Sequence, residues 1–213
     1  IAAAGNSGDE SVYNPASLKY VLSVGGTDTA DVKPGFSSYG IHLDLCAPGS
    51  GMYSLGNGGA YGVVGNGTSY AAPVVAGCAA IVKSVFPNYN SIQIGEQLKV
   101  TSDRIDTIAG NSAFAGKLGA GRVNLYRAIT ETDKPSIVMT RSVITDGDDD
   151  KFAIGDTISV GATFKNYLDT AKALFVKLES NNSNIEVLFG GVVYLGLVNT
   201  LDSANNYATP FKF

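Results

Sequence analysis

Residues 67–77 read Gly-Thr-Ser-Tyr-Ala-Ala-Pro-Val-Val-Ala-Gly, and the small-residue stretch opening at Thr68 runs to about Val85. Proline fits the first turn of a helix and disrupts later ones, so Pro73 predicts a helix that begins close to Ser69. Small residues along it let the helix lie close against a sheet and hold the serine at its start rigidly. In a first turn that serine has an exposed side chain and a backbone N–H with no intrahelical acceptor. The helix dipole there favours developing negative charge. Taken bare, Thr68-Ser69 also reads as an N-cap, the commoner fate of such residues at helix starts.

The rest of the first part alternates strand with helix. Tyr20 to Gly25 reads as a buried strand closed by glycine, and Leu43 to Ala47 as another closed by Pro48-Gly49. Pro87 ends the first helix, and Asn90 with Gln93 three residues on is a capping-box signature for a second. A short third helix is expected from Asn124, carrying Leu125, Ala128 and Ile129. This alternation argues for an α/β layer structure on a parallel sheet.

The texture changes after Thr132-Asp133-Lys134-Pro135, giving domains at 1–132 and 133–213. Residues 136–144, 157–165, 173–180 and 192–197 alternate apolar with polar, and Asp/Gly and Asn/Ser clusters separate them. Such regular short strands predict a small all-β sandwich of immunoglobulin-like kind. It stops at Phe211-Lys212-Phe213, which reads as mid-strand, so the sandwich is expected to be incomplete. The chain also opens without Met inside an apolar segment, Ile1-Ala2-Ala3-Ala4, which reads as a cut edge.

With 45% hydrophobic and 16% charged residues, the chain has the composition of a packed globular protein rather than a disordered one. Its net charge of −4 and lack of any Lys/Arg cluster argue against nucleic acid or anionic membrane surfaces as partners. The longest apolar runs, 71–82 and 187–198, are too short to span a bilayer. Cys46 and Cys78 both sit in apolar stretches and are read as buried free thiols in preference to a bridge.

A second motif stands at the start. Ala2-Ala3-Ala4-Gly5-Asn6-Ser7-Gly8 is a strand end followed by what is, by itself, an ordinary turn. Together with Gly67–Gly77 downstream, however, it resembles the subtilases, the subtilisin-like serine proteases. The resemblance continues through Asn14-Pro15, Val21 to Gly25, Phe36 to Gly40, Leu43 to Gly49, Phe86 to Tyr89 and Gly119 to Asn124. It covers residues 1 to about 130, roughly the C-terminal half of a subtilase domain, and implies a three-layer parallel-sheet fold.

What the resemblance implies for chemistry is a serine endopeptidase acting on protein or peptide substrates, secreted or held at the cell surface or in the periplasm. Ser69 takes the place of the nucleophile and Asn6 that of the oxyanion-stabilising amide. Ala4, Gly5, Thr68 and Tyr13 fall at substrate-binding positions. Tyr13 stands where many members have a small residue flooring the specificity pocket, so a preference for small side chains is expected. Tyr70 stands where many have an oxidisable methionine, and Val74 where a histidine outside the triad is common. No cofactor is implied, with calcium allowed in the intact enzyme.

The triad aspartate and histidine of the family precede the asparagine, on segments like Asp-Thr-Gly and His-Gly-Thr-His, and neither occurs in these residues. The lone histidine, His42, lies between Asn6 and Ser69, out of the family's order, and is read as a surface-loop residue. The 213 residues alone are therefore expected to be inactive, with the N-terminal half of the domain as their missing partner. Half a parallel sheet is also expected to fold poorly alone unless it dimerises or is rearranged. The rival reading is a pseudoprotease or binding module with an accessory sandwich. The acidic run Asp146 to Asp150 suggests calcium, but it lacks an EF-hand pattern and reads better as a solvated hairpin turn.

Overall fold

The computed structural model describes residues 1–147, 151–180 and 182–213. Contacts divide the chain into two compact units, Ile1–Glu131 and Thr132–Phe213.

The first unit is built on three parallel strands, β1 (Ala2–Ala3), β2 (Ser23–Thr27) and β3 (Leu45–Pro48), in the order β1-β2-β3. The register pairs Val24 with Leu45 and Gly25 with Cys46. Side chains alternate across a strand, so Val24, Leu45 and Ala47 enter one core while Cys46 enters another. The first core is closed by helices α1 (Thr68–Val85), α2 (Ser91–Val100) and α3 (Leu125–Thr130) through Ala71, Val75, Val82, Leu98 and Ala128. The second joins Cys46 to Ala4, Leu43, Ile105 and Leu118, with Tyr39 and Phe114 packed against it. Helices, sheet and a loop layer carrying the 3-10 helix Ala109–Phe114 thus make three layers, an α/β architecture.

Local chemistry accounts for the helix starts. Asn90 caps α2 through a complete capping box: its side chain accepts from Ile92 N and Gln93 N, while the Gln93 amide oxygen accepts from Asn90 N. Asn124 caps α3 by accepting from Arg127 N at 3.1 Å. For α1 the cap is Gly67, with no side-chain hydrogen bond, so neither Thr68 nor Ser69 serves as the N-cap. Pro73 lies in the second turn rather than the first, because the helix begins at Thr68. The donor it removes is the one that would have met the Ser69 carbonyl.

At 18 residues α1 is also long and apolar enough, by length and composition alone, to cross a membrane, which the shorter run 71–82 does not suggest. Its buried residues pack into the core against the sheet. Strand β2 starts three residues later than the apolar pattern indicates, since Tyr20 adopts a left-handed backbone with φ 68°. A two-stranded antiparallel hairpin, β4 (Met52–Leu55) with β5 (Tyr61–Gly65), was absent from the expected elements.

In the second unit, β6 (Ile137–Thr145) and β7 (Ser159–Asn166) pair antiparallel, and β10 (Ser203–Asn205) and β11 (Phe211–Lys212) pair along the other edge of β7. A separate pair, β8 (Ala171–Lys177) and β9 (Val192–Val198), packs onto this sheet. Ala171, Leu174, Val176 and Val198 share one core with Phe211, Ile137, Val160 and Phe164, so the two sheets lie face to face. The acidic run 146–150 and the Asn181–Asn184 cluster fall partly outside the described residues, at 148–150 and 181.

Candidate active site

Asn6 follows β1, and Ser69 is the second residue of α1. Backbone bonds from Ala2 N to Leu22 O and from Ala4 N to Val24 O carry the chain along β2 as far as Gly5. The two motifs then meet through the neighbour of each. Asn6 Oδ1 accepts from Thr68 N and from Thr68 Oγ1, both at 2.9 Å. The backbone N–H of Thr68 can only donate, so the atom facing it is the amide oxygen. That fixes the flip of Asn6 and turns its Nδ2 donors away from Thr68. Gly67 lies next to Nδ2, where a Cβ would stand 3.4 Å from that nitrogen.

Thr68 is itself fully buried and held from below. Its hydroxyl oxygen lies 3.3 Å from both Gly5 N and Gly5 O, so one side chain at the start of α1 touches Gly5 and Asn6 at once. Ser69 is exposed, and its hydroxyl makes no hydrogen bond among the described residues. Its N–H belongs to the first helical turn and has no acceptor within the helix.

The loop after Asn6 folds back under the strand end. Gly5 has φ 117°, and a Cβ there would stand 2.8 Å from the Tyr13 ring, so only glycine fits. Tyr13 is held in this position by its hydroxyl, which donates to the Asp9 carboxylate at 3.1 Å and lies 3.3 Å from the second oxygen. Ser38 supports the loop from the other side, accepting from Ser7 N at 3.4 Å. Asp9 and Ser38 are additions to the site. Ser38 falls within a family-like segment but nothing local marks its role, and Asp9 reads as an ordinary turn acid.

Of the predicted residues, Ala4, Gly5, Asn6, Tyr13, Thr68 and Ser69 are brought into one region by β1, its following loop and the start of α1. His42 is exposed in the turn before β3 and is not part of that constellation. Cys46 and Cys78 are both free and buried, and they belong to different cores on opposite faces of the sheet. Among the described residues no group of three His, Cys, Asp or Glu side chains is placed to hold a metal ion. The local arrangement therefore offers a hydroxyl, an oriented amide and an unpaired backbone N–H, which together suit attack on a carbonyl and stabilisation of the oxyanion formed.

Comparison with known proteins agrees with this geometry. A model of the Subtilase family matches residues 1–122. Subtilisin Savinase of Lederbergia lenta is 43% identical over 128 residues, covering 60% of this chain and 45% of the relative. A thermophilic serine proteinase of Bacillus sp. (strain AK1) is 38% identical over 130 residues, covering 61% and 30%. Among solved structures, the patellamide maturation protease superposes with a TM-score of 0.54 at 31% identity, over 61% of this chain and 49% of that one. The chain thus spans less than half the length of these relatives. With the family match covering more than half of its own residues, the chain belongs to the subtilase family.

Proposed function

We propose that these residues are the nucleophile-bearing part of a subtilisin-type serine endopeptidase. In this reading Ser69 Oγ attacks the carbonyl carbon of a peptide bond as its proton passes to a base. The carbonyl π electrons move onto oxygen, where Asn6 Nδ2 and Ser69 N–H donate to the oxyanion. Collapse expels the amine, which takes the proton, and leaves an acyl ester on Ser69 that water then hydrolyses. The acid and base of the triad come from residues other than these 213, so the 213-residue chain by itself has no proteolytic activity. General-base assistance, worth about two to four orders of magnitude, is lost without them.

The observation that carries this reading is the pair of hydrogen bonds from Thr68 to Asn6 Oδ1. They orient the Asn6 amide at the start of α1, where Ser69 presents an exposed hydroxyl, an arrangement a binding module has no chemical need for. The substrate class is protein or peptide, and the place of action is outside the cell or at its surface. No cofactor takes part in these steps.

The test is turnover of a peptide substrate by the protein expressed from its complete gene, with Ser69→Ala as control. Serine-directed inhibition and loss of turnover in the variant are expected. Turnover that survives Ser69→Ala removes the reading, and a complete gene without an Asp and a His upstream favours a pseudoprotease.

A further inference from the structure

From Leu45 to Val82 the sequence contains no Asp, Glu, Lys, Arg or His. The β4–β5 hairpin lies inside that neutral stretch. Its register sets Leu55 opposite Tyr61, and Tyr53 lies two residues from Leu55 on the same strand. Alternation therefore puts Tyr53, Leu55 and Tyr61 on one face of the ribbon. Their exposures are 70%, 57% and 71%. Single exposed apolar residues are ordinary, but three neighbours on a ribbon without charge form a patch of the kind that marks an interaction site.

The hairpin is anchored to the nucleophile loop. Asn66 Oδ1 closes its base by accepting from Gly51 N at 2.6 Å and Ser50 Oγ at 3.2 Å. Gly67 N donates to Gly49 O at 2.8 Å, tying the start of α1 to the exit of β3. Strand β5 ends at Gly65, which lies against the Tyr70 ring, and Asn66-Gly67-Thr68-Ser69 follow directly. Tyr61 stands four positions up the strand from Gly65, about 13 Å away at the usual rise per extended residue.

We propose that this face is a docking strip for the peptide substrate, taking apolar side chains several residues away from the bond Ser69 attacks. The proposal rests on the protease reading above. The strip continues the candidate active site without a break in the chain, which favours the molecule that site acts on. It is one ribbon wide, which fits an extended peptide. A stable pairing of two folded chains needs about 800 Å² from each partner, far more than three side chains present. The absence of charge makes the strip indifferent to acidic or basic substrates and selective for apolar ones.

The experiment uses the protein expressed from its complete gene with Ser69→Ala, so that binding is read without cleavage. Two fluorescent peptides are compared by anisotropy, one with Leu and one with Ser at the positions remote from the scissile bond. The Leu peptide is expected to bind about tenfold tighter. Tyr53→Ser, Leu55→Ser and Tyr61→Ser together should abolish the difference, whereas Tyr61→Phe should retain it. Equal affinities for the two peptides, or a preference that survives the triple substitution, overturn the proposal. Concentration-dependent self-association lost in the triple variant would give the strip to a second copy and overturn it as well. Turnover of a short amide by the protein with Ser69 intact is measured alongside. Its absence would count against the protease reading, which separates that failure from failure of the strip.

Discussion

Thr68 holds Asn6 by two hydrogen bonds to a single oxygen, one from its backbone N–H and one from its hydroxyl, both at 2.9 Å. The first cannot be removed by a side-chain substitution, but the second can. Thr68→Val keeps the shape but loses the hydroxyl's bond to Asn6 and its longer contacts with Gly5. The Asn6 bond alone, at about 1 kcal/mol, is equivalent to roughly a fivefold fall in kcat. KM should change little, because the oriented amide acts on the transition state. An unchanged kcat in steady-state kinetics would mean that the backbone bond alone orients Asn6.

Asn6→Ala removes the donor itself. The expected loss in kcat is about two to three orders of magnitude, a magnitude known from subtilisin itself. Asn6→Asp should not restore activity, since a carboxylate offers no donor to an oxyanion. Steady-state rates on one peptide substrate decide this, and activity near wild type in either variant would take Asn6 out of the oxyanion role.

The Tyr13 ring occupies the space beneath Gly5, and Asp9 keeps it there. On the proposed reading, with Tyr13 at the floor of the specificity pocket, the expected outcome is a preference for small side chains at the residue that supplies the attacked carbonyl. Tyr13→Gly should shift peptide-library cleavage towards large apolar and aromatic residues. Tyr13→Phe keeps the ring but loses the Asp9 bond, and should broaden selectivity only partly. A wild-type enzyme that already favours aromatic residues contradicts the assignment.

Much of this arrangement was legible in the sequence where the signal is local. The α2 capping box, the Asn124 cap and the small-residue helix after Thr68 each depend on residues three or four apart. The contacts that define the site are not local: Thr68 and Asn6 are 62 positions apart, and no periodicity announces their bond. Pro73 points to a start close to Ser69, and α1 begins at Thr68, yet the proline itself sits in the second turn because proline marks the first turn only on average. The β4–β5 hairpin stayed hidden because Gly, Ser and Asn interrupt its alternation, and β10 and β11 are too short to show any.

Stability in acid should depend on Asp103. Burial pushes its carboxyl up, but hydrogen bonds from Arg127, Asn124 and Arg122 together outweigh that and hold it below the ordinary carboxylate value. A carboxyl with a lowered folded pKa stabilises the fold fully above its unfolded pKa, near 4. That contribution is lost as pH falls through the lower folded value. Asp103→Asn should therefore reduce stability at neutral pH and flatten the acid side of a stability profile followed by denaturant titration. Parallel wild-type and variant curves across that range would contradict it.

The two thiols should be silent in the native state. Burial pushes Cys46 up to about 12, with Asp106 adding to the shift, and burial also raises Cys78. Because the thiolate is the reactive form, iodoacetamide near pH 8 should label neither until denaturant is added. Mass spectrometry of the labelled peptides reads this, and rapid native labelling of Cys46 would contradict the packing of the second core.

The central claim is that Ser69 is the nucleophile and depends on residues beyond these 213. A fluorophosphonate probe tests it most directly, applied both to the protein from its complete gene and to the 213-residue chain, with the adduct located by peptide mapping. The account predicts one adduct, on Ser69, in the complete protein and none in the 213-residue chain. An adduct on another residue, or none in a complete protein that cleaves peptides, would contradict it.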